Sequence, residues 1–195
     1  TFASAYNVDL AALAVSAART APRNLMAEAE QACAREKEKA SESANGIMDD
    51  RVWIALDTIK RMWRAAHPAI VSLWGSLEAS ARHAVSNPGV QVAVKNLRVW
   101  RDGGTMFIRL PSGRCLCYPG IRADGSGLSY MGVDQFTHKW CRIKTYGGKL
   151  SENVTQAIAR DVLAHGMMEA DKSDLAIVLT VHDEVLAEVP DTPEI

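Results

Sequence analysis

The chain has 195 residues, of which 48% are apolar and 23% charged, and its net charge is −1 at pH 7. This balance is ordinary for a globular protein with one domain or two small ones. No apolar run is long enough to span a bilayer, so we expect no membrane partner. The chain opens on Thr1 and ends in an acidic tail, and we expect a segment of a longer protein.

The charge is unevenly distributed along the chain. Residues 51–149 contain 15 Lys and Arg against 5 Asp and Glu, whereas the rest contains 7 against 18. A local excess of this size indicates a surface that faces a polyanion. A solvated basic surface accounts for it equally well.

The four cysteines are too few and too unevenly spaced for a disulfide scaffold. Cys115 and Cys117, together with His138 and Cys141, are ligand types that zinc accepts, but their spacing matches no common zinc motif. Alternate residues on a strand share a face in any case, so zinc is the weaker interpretation.

The first half of the chain has helical character. Residues 1–18 are rich in alanine, a second helix is predicted over about 23–43, and Pro68 separates a third helix from a fourth. Apolar residues at helical spacing predict the buried faces of these last two helices. They are Val52, Leu56, Ile59, Trp63 and Ala66 in the third, and Ile70, Leu73, Leu77 and Ala81 in the fourth.

The second half predicts an antiparallel meander and a long helix. Short β-type runs begin near residue 97 and are separated by Gly, Asp, Ser and Pro, with a tight turn at "PSG", residues 111–113. A helix follows over about 149–170, and its predicted buried stripe is Leu150, Val154, Ile158 and Val162. The predicted fold class is α+β: N-terminal helices, then an antiparallel sheet with one long helix and a C-terminal hairpin.

The C-terminal hairpin, "IVLTVHDEVLAEV" at 177–189, is predicted to be buried and to carry its charged residues at the tip. Ionised carboxylates are expensive in an apolar core, so His182, Asp183 and Glu184 must form the turn. Adjacent carboxylates suit a hard divalent ion such as Mg²⁺, and two such ions support phosphoryl transfer. An ordinary polar turn explains the same pattern.

A polar stripe runs along the long helix. Lys149, Asn153, Gln156 and Arg160 recur at helical spacing on a face other than the apolar one. The two amides can donate hydrogen bonds to the acceptors that every base pair presents in the minor groove, and the two cations suit phosphates. A solvated helix face is the alternative.

Several segments resemble family-A DNA polymerases of the phage and prophage branch. "TYGGKLSENVTQAIARDVLAHGM" followed by "IVLTVHDEVLAEV" resembles their C-terminal palm, and "WRAAHPAIVSLW" and "LPSGRCLCY" resemble segments that precede it. "FASAYNVDL" resembles the stretch after the nucleotide-binding finger helix. The resemblance implies part of the fingers in residues 1–90 and the palm in 91–195. It also implies a cytoplasmic protein of a bacterial or phage-infected cell.

The resemblance also implies an activity and its catalytic residues. The reaction is template-directed transfer of a nucleotide from a dNTP to a primer 3′-hydroxyl, on primer–template DNA, with two Mg²⁺ ions. Asp183 corresponds to one of the two metal-binding aspartates, and Glu184 is the carboxylate beside it. His182 touches the primer strand near its 3′ end.

The DNA contacts implied by the resemblance lie on the long helix and in the "PSGR" turn. Gln156 contacts the minor groove of the nascent base pair, and Asn153 lies nearby. Arg114 contacts the template or the junction between fingers and palm. The hypothesis requires Gln156 and Asp183 to lie on the same side of the molecule.

The chain also departs from the family pattern. The second metal-binding aspartate should lie on a strand followed by a Ser/Gln/Glu-rich turn, and no such segment is present. Asp49, Asp50, Asp124 and Asp134 are each expected to lack the flanking strand. We therefore expect the missing aspartate upstream, and the 195-residue chain to be inactive alone. Residues 16–50 are expected to be a branch-specific insertion.

Two other functions remain open at this stage. One is a non-catalytic nucleic-acid-binding module that keeps the basic surface without the chemistry. The other is a helical interaction protein whose basic zone faces an acidic protein.

Overall fold

The computed structural model describes residues 10–40 and 49–190, and its fold is α+β as expected. The predicted helix over residues 1–9 and the helix end near residue 43 lie outside the described residues. The helices are α1 (Leu10–Ala18), α2 (Arg23–Ala40), α3 (Asp50–Ala66), α4 (Pro68–Ser86) and α5 (Gly147–Lys172).

Nine strands are described, and all the pairings among them are antiparallel. They form a four-stranded sheet in the order β1-β2-β3-β4, a three-stranded sheet β5-β6-β7 and the hairpin β8-β9. The strands are β1 (Val92–Val94), β2 (Leu97–Asp102), β3 (Thr105–Arg109), β4 (Cys115–Pro119), β5 (Arg122–Asp124), β6 (Gly127–Val133), β7 (Trp140–Thr145), β8 (Ala176–Val181) and β9 (Glu184–Glu188).

The chain divides into two compact units between Val71 and Ser72, within α4. The assignment of fingers to residues 1–90 and of palm to residues 91–195 stays a prediction. None of the described helices has the length and apolar character that a membrane span requires.

In the first unit α3 packs against both α1 and α2. Its buried residues are Ala55, Asp57 and Thr58 rather than the predicted stripe, of which Leu56 is 46% exposed and Trp63 is 41% exposed. Small side chains allow the helices to approach closely, and Ala55 forms a small core with two alanines of α1. Hydrophobic spacing predicted the helix and, at Ile59, a residue that packs against this core, whereas the prediction of Leu56 and Trp63 as core residues was wrong.

Asp57 is a buried carboxylate of this unit, with a side chain that is 4% exposed. Its Oδ2 accepts a hydrogen bond of 2.6 Å from Arg61 Nε, and its other oxygen is paired with Lys60. Burial raises the pKa of Asp57, but the two cationic donors outweigh burial and the net shift is downward. Arg61 also reaches Glu28 at 2.6 Å, which links α2 to α3 through one guanidinium.

The core of the second unit lies between the sheets and the helices α4 and α5. Leu77 and Ala81 of α4 are fully buried there, as predicted, whereas Ile70 is 39% exposed. The strands contribute Val94, Leu97, Val99, Met106, Ile108, Tyr118 and Leu128, and α5 contributes Leu150 and Val154. Val162 was predicted to continue the buried stripe of α5, but it is 66% exposed, so burial ends before the last three turns.

The position of α5 is fixed by a close backbone contact with α4. A Cβ placed on Gly147 would lie 2.0 Å from the carbonyl oxygen of Trp74 and 3.1 Å from the Cβ of Glu78. The Glu78 carboxylate accepts a 3.0 Å hydrogen bond from Gly147 N–H, so it caps the N-terminus of α5. This bond, and a second from Arg82, lower the pKa of Glu78.

We predict that Gly147→Ala destabilises the second unit by about 1–3 kcal/mol, because the methyl group meets backbone that cannot rotate away. The measurement is the urea midpoint of the chain. Gly148→Ala is the matched control, since its Cβ meets only the exposed ring of Tyr146. Alanine is favoured in a helix by about 1 kcal/mol, so the control should be neutral or stabilising. Equal losses in both variants would contradict the contact.

Candidate functional site

Four of the residues singled out in the sequence line one open cavity of about 440 Å³. They are Asn153, Gln156 and Arg160 from α5 and Arg114 from the turn between β3 and β4. The rest of the lining comes from strands β4 and β6 and from α5 itself: Leu116, Cys117, Tyr118, Tyr130 and Ala157. We call this cavity the Gln156 groove. Its polar side chains lie on the flank of α5 beside the buried stripe of Leu150 and Val154, and this flank faces β4 and the β3–β4 turn.

The turn between β3 and β4 is built by the predicted "PSG" segment. Gly113 adopts φ 90°, a conformation that other residues rarely adopt, and its N–H donates to Leu110 O at 2.9 Å. Leu110 N–H in turn donates to Arg114 O at 2.8 Å, which closes the hairpin. The closed turn therefore positions Arg114 beside α5.

A carboxylate on α5 holds this turn against the helix. Asp161 Oδ2 accepts a 2.6 Å hydrogen bond from Ser112 Oγ, and its Oδ1 is paired with Arg114 Nε. Arg114 Nη2 also donates to Ala157 O at 3.1 Å. The hydrogen bond from Ser112 and the pairing with Arg114 lower the pKa of Asp161. Arg114 is thus part of a clamp, and its side chain is still 55% exposed at the groove rim.

The floor of the groove contains a tyrosine pair that sequence reasoning missed. Asn153 Nδ2 donates to Tyr118 Oη at 3.0 Å, and Tyr118 packs edge-on against Tyr130 with 5.1 Å between ring centroids. Burial raises the pKa of Tyr118, so the phenol is neutral at pH 7. Asn153 is therefore oriented by the protein, with one of its two N–H donors already engaged.

Gln156 and Arg160 differ from Asn153 because no hydrogen bond or ion pair engages their side chains within the described residues. Both are exposed. An amide and a guanidinium that face solvent from a rigid helix keep their full donor capacity for a ligand.

Lys149 lines a second cavity, of about 220 Å³, between α5 and the β6–β7 hairpin. We call it the Lys149 groove. Its lining includes Asn153, Lys144 and Phe136, and it shares Asn153 and Tyr130 with the Gln156 groove. Lys149 Nζ is 2.9 Å from Glu152 Oε2, and this exposed pair raises the pKa of Lys149. The five predicted DNA-contacting residues thus line two grooves with common walls.

The charged residues of the C-terminal hairpin occupy its tip, as predicted. Val181 pairs with Glu184, so His182 and Asp183 form a two-residue turn and Glu184 opens β9. His182 has φ 54°, which a two-residue hairpin turn requires at its first position and which costs energy for a residue other than glycine. All three side chains are exposed.

The hairpin itself is not buried, in contrast to the prediction. Val178 is 61% exposed and Leu179 is 55% exposed, and Leu186 on the partner strand is 46% exposed. A register irregularity between Ile177 and Leu179 interrupts the alternation of the two faces. The apolar run therefore indicated a strand correctly but did not indicate that this part of the chain covers it.

The hairpin packs against α5 through β8, which follows the helix after a connection of three residues, Ser173–Leu175. That Gln156 and Asp183 face one another stays a prediction.

The carboxylates of the tip stand apart from the other aspartates considered as metal ligands. Asp49 caps α3, Asp124 accepts hydrogen bonds from Ser126, and Asp134 accepts them within its own loop. Asp124 ends β5 and Asp134 directly follows β6, so the expectation that both lack a flanking strand was wrong. Their carboxylates are nevertheless engaged by local turns.

Across residues 10–40 and 49–190, no three His, Cys, Asp or Glu side chains are grouped to hold a metal ion. Cys115 and Cys117 lie on β4 and Cys141 on β7, in separate sheets, and none is disulfide-bonded. Asp183 and Glu184 are the donors at the hairpin tip, and two carboxylates are what Mg²⁺ commonly takes from a protein. This donor set suits a Mg²⁺ ion that completes its shell with phosphate and water.

Comparison with known proteins found one relevant similarity. A DNA polymerase of Bacillus phage SP02 is 38% identical over an alignment of 141 positions, which covers 69% of this chain and 22% of that protein. The chain thus spans about a fifth of the length of the curated relative that it matches. No protein-family model matches the chain, and no solved structure matches it.

We predict that Asp161→Asn lowers the urea midpoint at pH 7, because the amide cannot replace the charged acceptor of Ser112 and Arg114. A lowered pKa stabilises the fold above the ordinary carboxyl value and loses that effect as pH falls through the folded-state value. The difference between variant and wild type should therefore hold down to about pH 5 and shrink below about pH 4. Asp171→Asn removes a carboxylate from the same helix away from the clamp, and it should leave the urea midpoint at pH 7 nearly unchanged. Identical profiles for Asp161→Asn and wild type would exclude the clamp.

Proposed function

We propose that this chain is part of a template-directed DNA polymerase and that it holds primer–template DNA along the Gln156 and Lys149 grooves. The observation that carries the proposal is the convergence of Arg114, Asn153, Gln156 and Arg160 on one cavity. Arg114 lies 39 positions before Asn153 in the chain, and Gln156 and Arg160 follow Asn153 on the same helix. The similarity to a phage DNA polymerase supports it, since the matched stretch covers most of the chain.

The amide donors of the Gln156 groove suit recognition of a base pair whatever its sequence. Gln156 offers unengaged N–H donors from a fixed helix, and every base pair presents acceptors in its minor groove. Asn153 is held by Tyr118 and keeps one N–H available. Such donors favour a correctly paired geometry, because a mispaired base displaces the acceptors from them. This is the recognition that a template-directed enzyme needs at its newest pair.

The cations at the groove edges suit the phosphate backbone. Arg160 and Arg114 border the Gln156 groove, and Lys144 and Lys149 border the Lys149 groove. Contacts of this kind fix the position of a duplex and carry no sequence information. The local excess of Lys and Arg in residues 51–149 supports the same assignment.

Asp183 and Glu184 would hold Mg²⁺ at the hairpin tip. When bound, the metal stabilises charge on the attacking and leaving oxygens of a phosphoryl transfer. The tip residues themselves supply anionic ligands on a short, closed turn that limits their motion. His182 stands directly before them and can donate a hydrogen bond to a phosphate or sugar oxygen of the primer. A second aspartate for a two-metal site belongs, on this proposal, to another part of the polymerase.

A contribution of Arg160 to DNA binding can be measured on the 195-residue chain by fluorescence anisotropy with labelled primer–template DNA. We predict that Arg160→Ala weakens binding and reduces the slope of log affinity against log salt by about one. Lys172→Ala removes the same charge from the same helix, about 18 Å further along, where it pairs with Glu169. That control should leave affinity and slope nearly unchanged. An equal effect of both variants would point to non-specific attraction.

The catalytic assignment is tested by primer extension with the full-length protein that carries this chain. We predict that Asp183→Asn lowers the extension rate at least about a hundredfold, since a neutral amide is a poor Mg²⁺ ligand. Asp174→Asn is the control, because Asp174 has φ 58° in the turn before β8, where asparagine is well accepted. The 195-residue chain alone should not extend primers.

A non-catalytic nucleic-acid-binding module is the second candidate, and the basic grooves favour it as much as they favour a polymerase. It makes no use of a carboxylate at the hairpin tip. Unchanged primer extension by Asp183→Asn, with DNA binding still dependent on Arg160, would establish this alternative.

A further inference from the structure

The loop between β6 and β7 exposes a cluster of large apolar side chains. Phe136, at the tip, is 91% exposed. At the base of the loop Val133 pairs with Trp140 across the two strands, and these side chains are 54% and 61% exposed. Isolated exposed apolar residues are common, but a fully presented aromatic above an exposed apolar pair suggests a contact surface.

Hydrogen bonds within the loop keep Phe136 in this position. Asp134 Oδ1 accepts bonds from Phe136 N–H at 3.1 Å, from Thr137 N–H at 2.7 Å and from Thr137 Oγ1 at 2.8 Å. Asp134 N–H donates to Lys139 O, and His138 N–H donates to Asp134 O, each at 2.9 Å. The backbone is thus closed at both ends, and the ring is presented at little further entropic cost on binding.

The exposed ring is continuous with the proposed DNA site. Phe136 and Val133 line the Lys149 groove together with Lys144, Lys149 and Asn153. The acidic residue of that lining, Asp134, is engaged by the loop itself. The groove therefore presents an aromatic face at one end and ammonium groups along its wall, which complements a base joined to a phosphate backbone.

We propose that the 134–139 loop is a stacking platform for an unpaired base of the template strand beside the duplex. This inference rests on the proposed function and adds the single-stranded part of the substrate to it. Phe136 has no polar atom, so it offers only its apolar ring faces and edge. Base faces are covered within a duplex and become available where the strand is unpaired. The ligand is thus single-stranded DNA continuous with the duplex held by Gln156 and Arg160.

The test compares two labelled DNAs on the 195-residue chain, a blunt duplex and the same duplex with a single-stranded template overhang. Wild type should bind the overhang DNA more tightly. Phe136→Ala should weaken binding of the overhang DNA about five- to a hundredfold, the range for loss of one base–aromatic stack. It should weaken binding of the blunt duplex by a clearly smaller factor, since Phe136 also lines the Lys149 groove. Because the ring is almost fully exposed, the urea midpoint should not change.

Phe136→Leu separates stacking from general apolar contact, since leucine keeps apolar bulk without the ring. It should lose nearly as much affinity for the overhang DNA as the alanine variant. Full binding by the leucine variant, or equal binding of the two DNAs by wild type, would overturn the stacking platform. If both DNAs are bound equally and Arg160→Ala weakens both, the proposed function stands without the platform. Absence of DNA binding by wild type would overturn both proposals.

Discussion

The contact between Gly147 and the backbone of α4 is the constraint on which the arrangement of the second unit depends. A side chain at this position would overlap the carbonyl oxygen of Trp74, so only glycine lets α5 begin there. Glu78 then satisfies the first N–H group of the helix and places a negative charge at its N-terminus. Once the start and direction of α5 are fixed, Leu150 and Val154 enter the core. The polar stripe of the same helix then lines the Gln156 groove.

The polar face of α5 is shaped as much by its neighbours as by its own residues. Tyr118 orients Asn153, whereas Asp161 draws the β3–β4 turn to the helix through Ser112 and Arg114. Each of these partners comes from a strand segment more than 30 residues away. The result is a groove in which some donors are engaged and others, such as those of Gln156, face solvent. The engaged side chains hold the groove in shape, and the unengaged donors remain available to a ligand.

The second unit separates two kinds of chemistry along α5. Amides and cations of α5 lie beside the sheets, and the carboxylates lie on the tip of the β8–β9 hairpin, whose strand β8 packs against α5. The hairpin leaves much apolar surface exposed, Val178 and Leu186 included. Such surface is costly in water at about 25 cal/mol per Å² of apolar area.

The sequence by itself determined the order and type of the elements, because helical spacing, turn residues and strand alternation are local properties. It also predicted the turn at His182 and Asp183, although the premise of that prediction, a buried hairpin, was wrong. The sequence did not determine which residues are buried. Val162 and Leu56 fit their apolar stripes and are exposed, whereas Ala55 and Asp57 are buried. Which face is covered depends on partners distant in the chain. Only the tertiary structure decided that Tyr118 and Phe136 line the grooves and that Asp161 holds the β3–β4 turn against α5, because no local pattern relates a residue to a neighbour brought there by folding.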